Sequence, residues 1–178
     1  MKWLLVGLLA AAALMLWRLS AASKRNEPRV GDEAPGFALP DQHGRNRSLA
    51  EFRGKWLALY FYPRDDTPGC TEQACAFRDD RHRLAERGAE VVGVSVDDVE
   101  SHLDFAKEYS LPFTLLADAG GAVAARYGSI RDLGLVKFAR RNTFLIDPQG
   151  RIAKIYLSAS TSKNSQEVLE DLRRLQRQ

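Results

Sequence analysis

Leu57–Arg78 reads LALYFYPRDDTPGCTEQACAFR and contains both cysteines of the 178-residue chain, Cys70 and Cys75. The apolar, aromatic-rich run from Trp56 to Tyr62 lies between Gly54 and Pro63, which suits a buried strand. A polar turn, Arg64-Asp65-Asp66, follows, and Thr67-Pro68 then opens a helix. Thr is a good N-cap, and Pro at the first helical position gives up an N–H that has no helical partner. Cys70 is therefore expected in the first helical turn. Free backbone N–H groups and the positive end of the helix dipole favour a thiolate there, which makes the sulfur a nucleophile.

The second thiol, Cys75, stands five residues further on. In an intact helix the two Cα atoms would be roughly 8 to 9 Å apart and far round the cylinder, whereas a disulfide tolerates no more than about 7 Å. If the two cysteines pair, the first turns of the helix must unwind, and the site becomes a switch between a folded reduced state and a locally opened oxidised one. Two cysteines cannot make a zinc site alone, and His43, His82 and His102 have no ligand spacing to them, so no metal is expected. The spacing C-x4-C is also not the C-x-x-C of a thioredoxin-type redox pair.

The stretch Pro63-x-x-x-Thr67-x-x-Cys70 resembles the active-site signature of the peroxiredoxins, and TPGCTEQACAFRD is similar to their Q subfamily, the bacterioferritin comigratory proteins. The resemblance runs from about Val30 to Leu175, from GDEAPGFALPD through TFLIDPQGRI. It implies an α/β, thioredoxin-like fold with a mixed central sheet flanked by helices. It also implies a thiol-specific peroxidase without cofactor, acting on hydrogen peroxide and organic hydroperoxides in protection against oxidative stress.

In that family Cys70 would be peroxidatic: its thiolate attacks one peroxide oxygen, giving a sulfenic acid and releasing water or an alcohol. Cys75 would be resolving, forming an intramolecular disulfide that thioredoxin or a similar dithiol reduces. Thr67 offers a hydroxyl to the thiolate or the peroxide, or serves only as the N-cap. The backbone N–H groups of Gly69 and Cys70 can face the same pocket, and Pro63 completes the signature. Arg141, in Arg141-x-Thr143-Phe144-Leu145-Ile146-Asp147, matches the family position of the cation beside the peroxidatic sulfur. Sequence alone does not separate it from Arg131, Lys137 or Arg140.

Two other classes remain open at this level. A membrane-tethered thiol-disulfide reductase shares the GDEAPGF opening but needs W-C-x-x-C after the central strand, where this chain has Thr-Pro-Gly-Cys. A non-catalytic peroxide sensor could use the same two thiols.

Residues 1–22 form a separate object. Trp3 to Trp17 is uncharged and too short alone for a hydrocarbon core of about 30 Å. Carried through Arg18 to Ala22, it gives a tilted span with a tryptophan at each interface. It is read as an uncleaved anchor in a bacterial inner membrane, in preference to a cleaved signal segment, with the side faced by the domain left open. A linker, 23–29, and one domain, 30–178, complete the chain. Residues 1–29 hold five basic residues and one acidic, so of the net charge of +3 the domain carries −1. Nothing then argues for nucleic acid; the resemblance to the Q subfamily, rather than the charge, implies a monomer.

Further elements follow from periodicity and turn chemistry. A helical turn is expected at Ser48–Phe52 and the cysteine helix from Pro68 to Arg87. Strands are expected at Glu90–Val96 and Phe113–Leu116, and helices at Asp97–Tyr109, Gly121–Tyr127 and Val168–Leu175. A hairpin of Asn142–Asp147 with Arg151–Leu157 turns at Pro148-Gln149-Gly150.

Overall fold

The computed structural model describes residues 27–134 and 136–177. β1 (Ala38–Pro40) and β2 (Asn46–Ser48) make a short antiparallel hairpin, followed by one 3-10 turn, Leu49–Phe52. The Ser48 N–H donates to Glu51 Oε1 at 2.6 Å, which helps fix that turn. β3 (Trp56–Phe61) leads through α1 (Pro68–Ala85) to β4 (Ala89–Ser95), and β4 leads through α2 (Val99–Glu108) to β5 (Thr114–Ala117). After α3 (Ala122–Arg126) come a second small hairpin, β6 (Ile130–Asp132) with β7 (Lys137–Ala139), then β8 (Asn142–Ile146), β9 (Ile152–Tyr156) and α4 (Asn164–Leu175).

The central sheet has the order β5-β4-β3-β8-β9. β3, β4 and β5 are parallel, which requires the helical crossovers α1 and α2, whereas β8 and β9 run antiparallel and need only a tight turn. The expected mixed sheet flanked by helices is thus present. β3 occupies its centre, and its side chains alternate between two cores: Leu57, Leu59 and Phe61 face Phe37, Phe52, Tyr127 and Phe144, while Ala58, Tyr60 and Tyr62 face Cys70, Phe77, Phe105 and Leu169. Burial on both faces explains why the strand reads as a continuous apolar run rather than an alternating one. Gly93, opposite Tyr60 in the register, makes room for it: a Cβ there would lie 2.8 Å from the Tyr60 hydroxyl.

Most boundaries shift by one to three residues from the sequence expectation. α1 ends at Ala85 rather than Arg87, and Gly88 follows with a φ of +66° that stops the helix. α4 begins at Asn164, four residues before the expected Val168. The two small hairpins were not expected as strands.

The membrane assignment is corrected. Residues 3–22, on which it was placed, lie outside the described residues, and no helix among the described residues is long and apolar enough to cross a membrane. The longest, α1, carries Glu72, Arg78, Asp79, Asp80, Arg81 and Arg83, charges that hydrocarbon would not tolerate.

Candidate active site

The turn after β3 is held by a buried polar knot. Asp65 Oδ1 accepts from Tyr62 Oη at 2.7 Å, and Asp65 Oδ2 accepts from Ser101 Oγ at 2.7 Å and lies 2.8 Å from His102 Nδ1. The Asp65 N–H in turn donates to Asp97 Oδ2 at 2.9 Å. Burial alone would raise the Asp65 carboxyl, but the hydrogen bonds from His102, Tyr62 and Ser101 outweigh it and hold the group below the ordinary carboxylate value. Asp66 then takes a φ of +54°, a conformation that Asp tolerates better than most residues, and the chain enters α1.

Pro68 occupies the first turn of α1, as expected, and Thr67 is the N-cap in extended conformation. The Thr67 side chain does not cap the helix. Its hydroxyl donates back to the Arg64 carbonyl at 3.1 Å, closing the turn. The Cys70 N–H donates to the Thr67 carbonyl at 2.9 Å.

The buried face of α1 is Cys70, Gln73, Ala74, Phe77, Asp80 and Leu84. Cys70 is 1% exposed. Arg141 reaches it from the entry to β8: Nη2 donates to Cys70 Sγ at 3.3 Å, while Nη1 donates to Gln73 Oε1 at 2.8 Å and to the Gly69 carbonyl at 3.3 Å. Of the four basic residues that sequence could not separate, Arg141 is the one in contact with the sulfur. Gly69 permits this approach, because a Cβ there would sit 3.3 Å from Arg141 Nη2 and 3.2 Å from Thr161 Cγ2. The guanidinium and the first turn of α1 are thus both placed at the sulfur.

Cys75 is half-buried on the same helix, and both thiols are free. Behind Cys70, Tyr60 stacks on Phe77 at 5.0 Å and on Tyr62 at 5.3 Å. Burial, with the carboxylate of Asp65 and the thiols nearby, pushes the Tyr60 phenol well above its ordinary value, so it stays neutral. No group of three or more metal-ligating side chains is found among the described residues.

Sequence reasoning missed Gln73 and Asn164. Gln73 is completely buried; its Nε2 donates to Asn164 Oδ1 at 3.1 Å, and Thr143 Oγ1 donates to the same oxygen at 2.6 Å. The available signal was its place three residues after Cys70, on the same helical face.

The model of the AhpC/TSA family matches residues 30–155. A chloroplastic peroxiredoxin Q of Gentiana triflora is 48% identical over 126 residues, covering 71% of this chain and 58% of that protein, so the chain spans less than two thirds of that plant relative. A putative peroxiredoxin bcp of Coxiella burnetii is 42% identical over 144 residues, covering 79% of this chain and 95% of the relative. Among solved structures, peroxidoxin BcpB of Mycobacterium tuberculosis aligns with a TM-score of 0.80 at 36% identity, covering 84% of this chain and 99% of that one. With a chloroplastic protein among such similar relatives, the likeness gives no ground for a bacterial inner-membrane location. The fold, the sequence match and the cysteine at the head of α1 agree that the chain belongs to the AhpC/TSA family, on its peroxiredoxin Q and bacterioferritin comigratory branch.

Proposed function

We propose that the chain is a thiol peroxidase that reduces hydrogen peroxide and organic hydroperoxides to water and alcohols, in protection against oxidative stress. The observation that carries this reading is the 3.3 Å approach of Arg141 Nη2 to the buried Cys70 sulfur in the first turn of α1. The Cys70 thiolate attacks one oxygen of the peroxide; the S–O bond forms as the O–O bond breaks, and the leaving oxygen takes a proton to depart as water or alcohol. Negative charge grows on that oxygen, and Arg141 is the donor beside the reacting sulfur. Thr67 shapes the approach through the turn it closes. Cys75 then displaces hydroxide from the sulfenic acid, water is lost, and a Cys70–Cys75 disulfide results. Thioredoxin or a similar dithiol restores both thiols by exchange, and a monomer suffices because both thiols sit on one helix.

The test is hydrogen peroxide consumption by the full chain with thioredoxin, thioredoxin reductase and NADPH. Wild type should oxidise NADPH, Cys70→Ser should not, and Cys75→Ser should complete one turnover but lose the cycle. Undiminished cycling in Cys75→Ser would remove the resolving role. No peroxide consumption by wild type, even in a single turnover, would move the weight to disulfide exchange with protein partners.

A further inference from the structure

We infer that Asn164, the first residue of α4, is a positioning residue that holds the segment between the two cysteines in its helical state and thereby sets how fast the disulfide closes. The inference deepens the proposed peroxidase reading and rests on it for its role in turnover.

The argument starts from Gln73. It lies inside the segment Cys70–Cys75, which must leave helical geometry before the sulfurs can meet. Both ends of its side-chain amide are engaged, Oε1 by Arg141 and Nε2 by Asn164, and Gln73 is completely buried. Unwinding therefore breaks both bonds together and strips a buried acceptor, Asn164 Oδ1, of one donor. The amide of Asn164 is itself an unusual choice for this place: the residue is fully buried, and its Nδ2 has no hydrogen-bond partner among the described residues. A buried donor without a partner is unfavourable, so fold stability alone does not explain an amide here. A residue that offers one acceptor to both Gln73 and Thr143, and so ties the Cys70–Cys75 segment to β8, does. Continuity runs from Cys70 Sγ through Arg141 and Gln73 to Asn164 and Thr143, so the latch begins at the sulfur whose oxidation must release it.

The chemical consequence is a partition. Cys70 sulfenic acid either meets Cys75, losing water to form the disulfide, or meets a second peroxide and becomes sulfinic acid. A tighter latch lengthens the life of the sulfenic acid and favours the second fate, whereas a looser one favours the first.

The experiment follows disulfide closure in the reduced full chain by rapid alkylation and intact mass, with two oxidants. Diamide takes two hydrogens from the dithiol, giving the disulfide while its N=N bond is reduced to the hydrazine dicarboxamide, so it reads helix opening without any peroxidase chemistry. Hydrogen peroxide reads the sulfenic acid, disulfide and sulfinic acid in turn. Asn164→Ala should close about three- to tenfold faster with diamide, the range expected for one buried hydrogen bond, and should accumulate less sulfinic acid at high peroxide. Asn164→Asp keeps the acceptor oxygen and strengthens it by charge, so it should close more slowly than wild type. It carries the test if the alanine variant does not fold. Closure in Asn164→Ala within about twofold of wild type, or closure in Asn164→Asp as fast as wild type or faster, overturns the latch. An effect of these variants with diamide, alongside a wild type in which peroxide never oxidises Cys70, leaves the latch standing and removes the peroxidase reading instead.

Discussion

The two halves of α1 are held in different ways. The first half, Pro68–Cys75, buries only Cys70, Gln73 and Ala74 and is fixed by polar contacts from Arg141 and Asn164 and by a hydrogen bond of Thr161 Oγ1 to Glu72 Oε2. The second half is also gripped by α4, through Ser165 and Gln166 donating to Asp80 Oδ2 at 2.7 and 2.5 Å. In addition, it buries Phe77 and Leu84 completely. Burying a Phe or Leu side chain is worth about 1.5–3 kcal/mol each, against about 0.5–1.5 kcal/mol for a typical hydrogen bond. The half that would have to open for Cys70 and Cys75 to pair is thus the half that would expose little apolar surface in doing so. Aromatic packing keeps the rest of the helix in place as a fixed frame.

The comparison breaks most readily at Phe77. Phe77→Ala leaves a cavity beneath Tyr60 and should lower the global unfolding free energy by about 3–5 kcal/mol, measured by denaturant titration of the reduced chain. A loss below about 1 kcal/mol would mean that the second half is not anchored by this stacking. Arg141→Ala acts on the other half. It should slow the first oxidation of Cys70 by about 10²–10³-fold, the usual effect of removing one donor from a developing negative charge. Its effect on global stability should be smaller than that of Phe77→Ala. Stopped-flow measurement of a single peroxide turnover checks the rate, and an unchanged rate would take Arg141 out of the chemistry.

Sequence carried the local elements around the site better than the long-range contacts that fix it. The aromatic run of β3, the Thr67-Pro68 helix start and the turn at Pro148-Gln149-Gly150 are local signals, and each element formed close to where it was expected. Arg141 was marked only by its resemblance to a family motif, because neither charge nor spacing separates it from Arg140 beside it. The partner of Gln73 lies 91 residues away, and no local pattern encodes a contact of that range. Asn164 also lay before the expected start of its helix, since its N-cap, Lys163, makes no side-chain cap bond and gives no start signal. The direction of the Thr67 hydroxyl was hidden for a related reason: the tight turn through Asp66 brings the Arg64 carbonyl within its reach. β6 and β7 are three residues each, with Arg131, Asp132 and Lys137 among them, too short and too charged to read as strands.

A smaller effect sharpens the comparison at the turn that feeds the first half. Asp65 is buried, and although desolvation opposes its charge, the bonds from His102, Tyr62 and Ser101 keep its carboxyl below the ordinary value. The sign follows from the linkage of protonation to folding. A carboxyl more acidic in the folded than in the unfolded chain adds stability that is fully present above the unfolded value, about pH 4, and is lost as pH falls through the lower folded value. Asp65→Asn removes that titration, so its stability should fall less steeply than wild type between pH 5 and pH 2, read as denaturation midpoints at each pH; these pH limits are set roughly by the same carboxylate range. Amide exchange should show where acid acts first: in the turn from Pro63 to Thr67 and the opening turn of α1, before the turns around Phe77, which no buried carboxylate of this knot supports. Equal acid slopes in variant and wild type would show that Asp65 does not anchor the turn, and the first half of α1 would then be held by Arg141, Asn164 and Thr161.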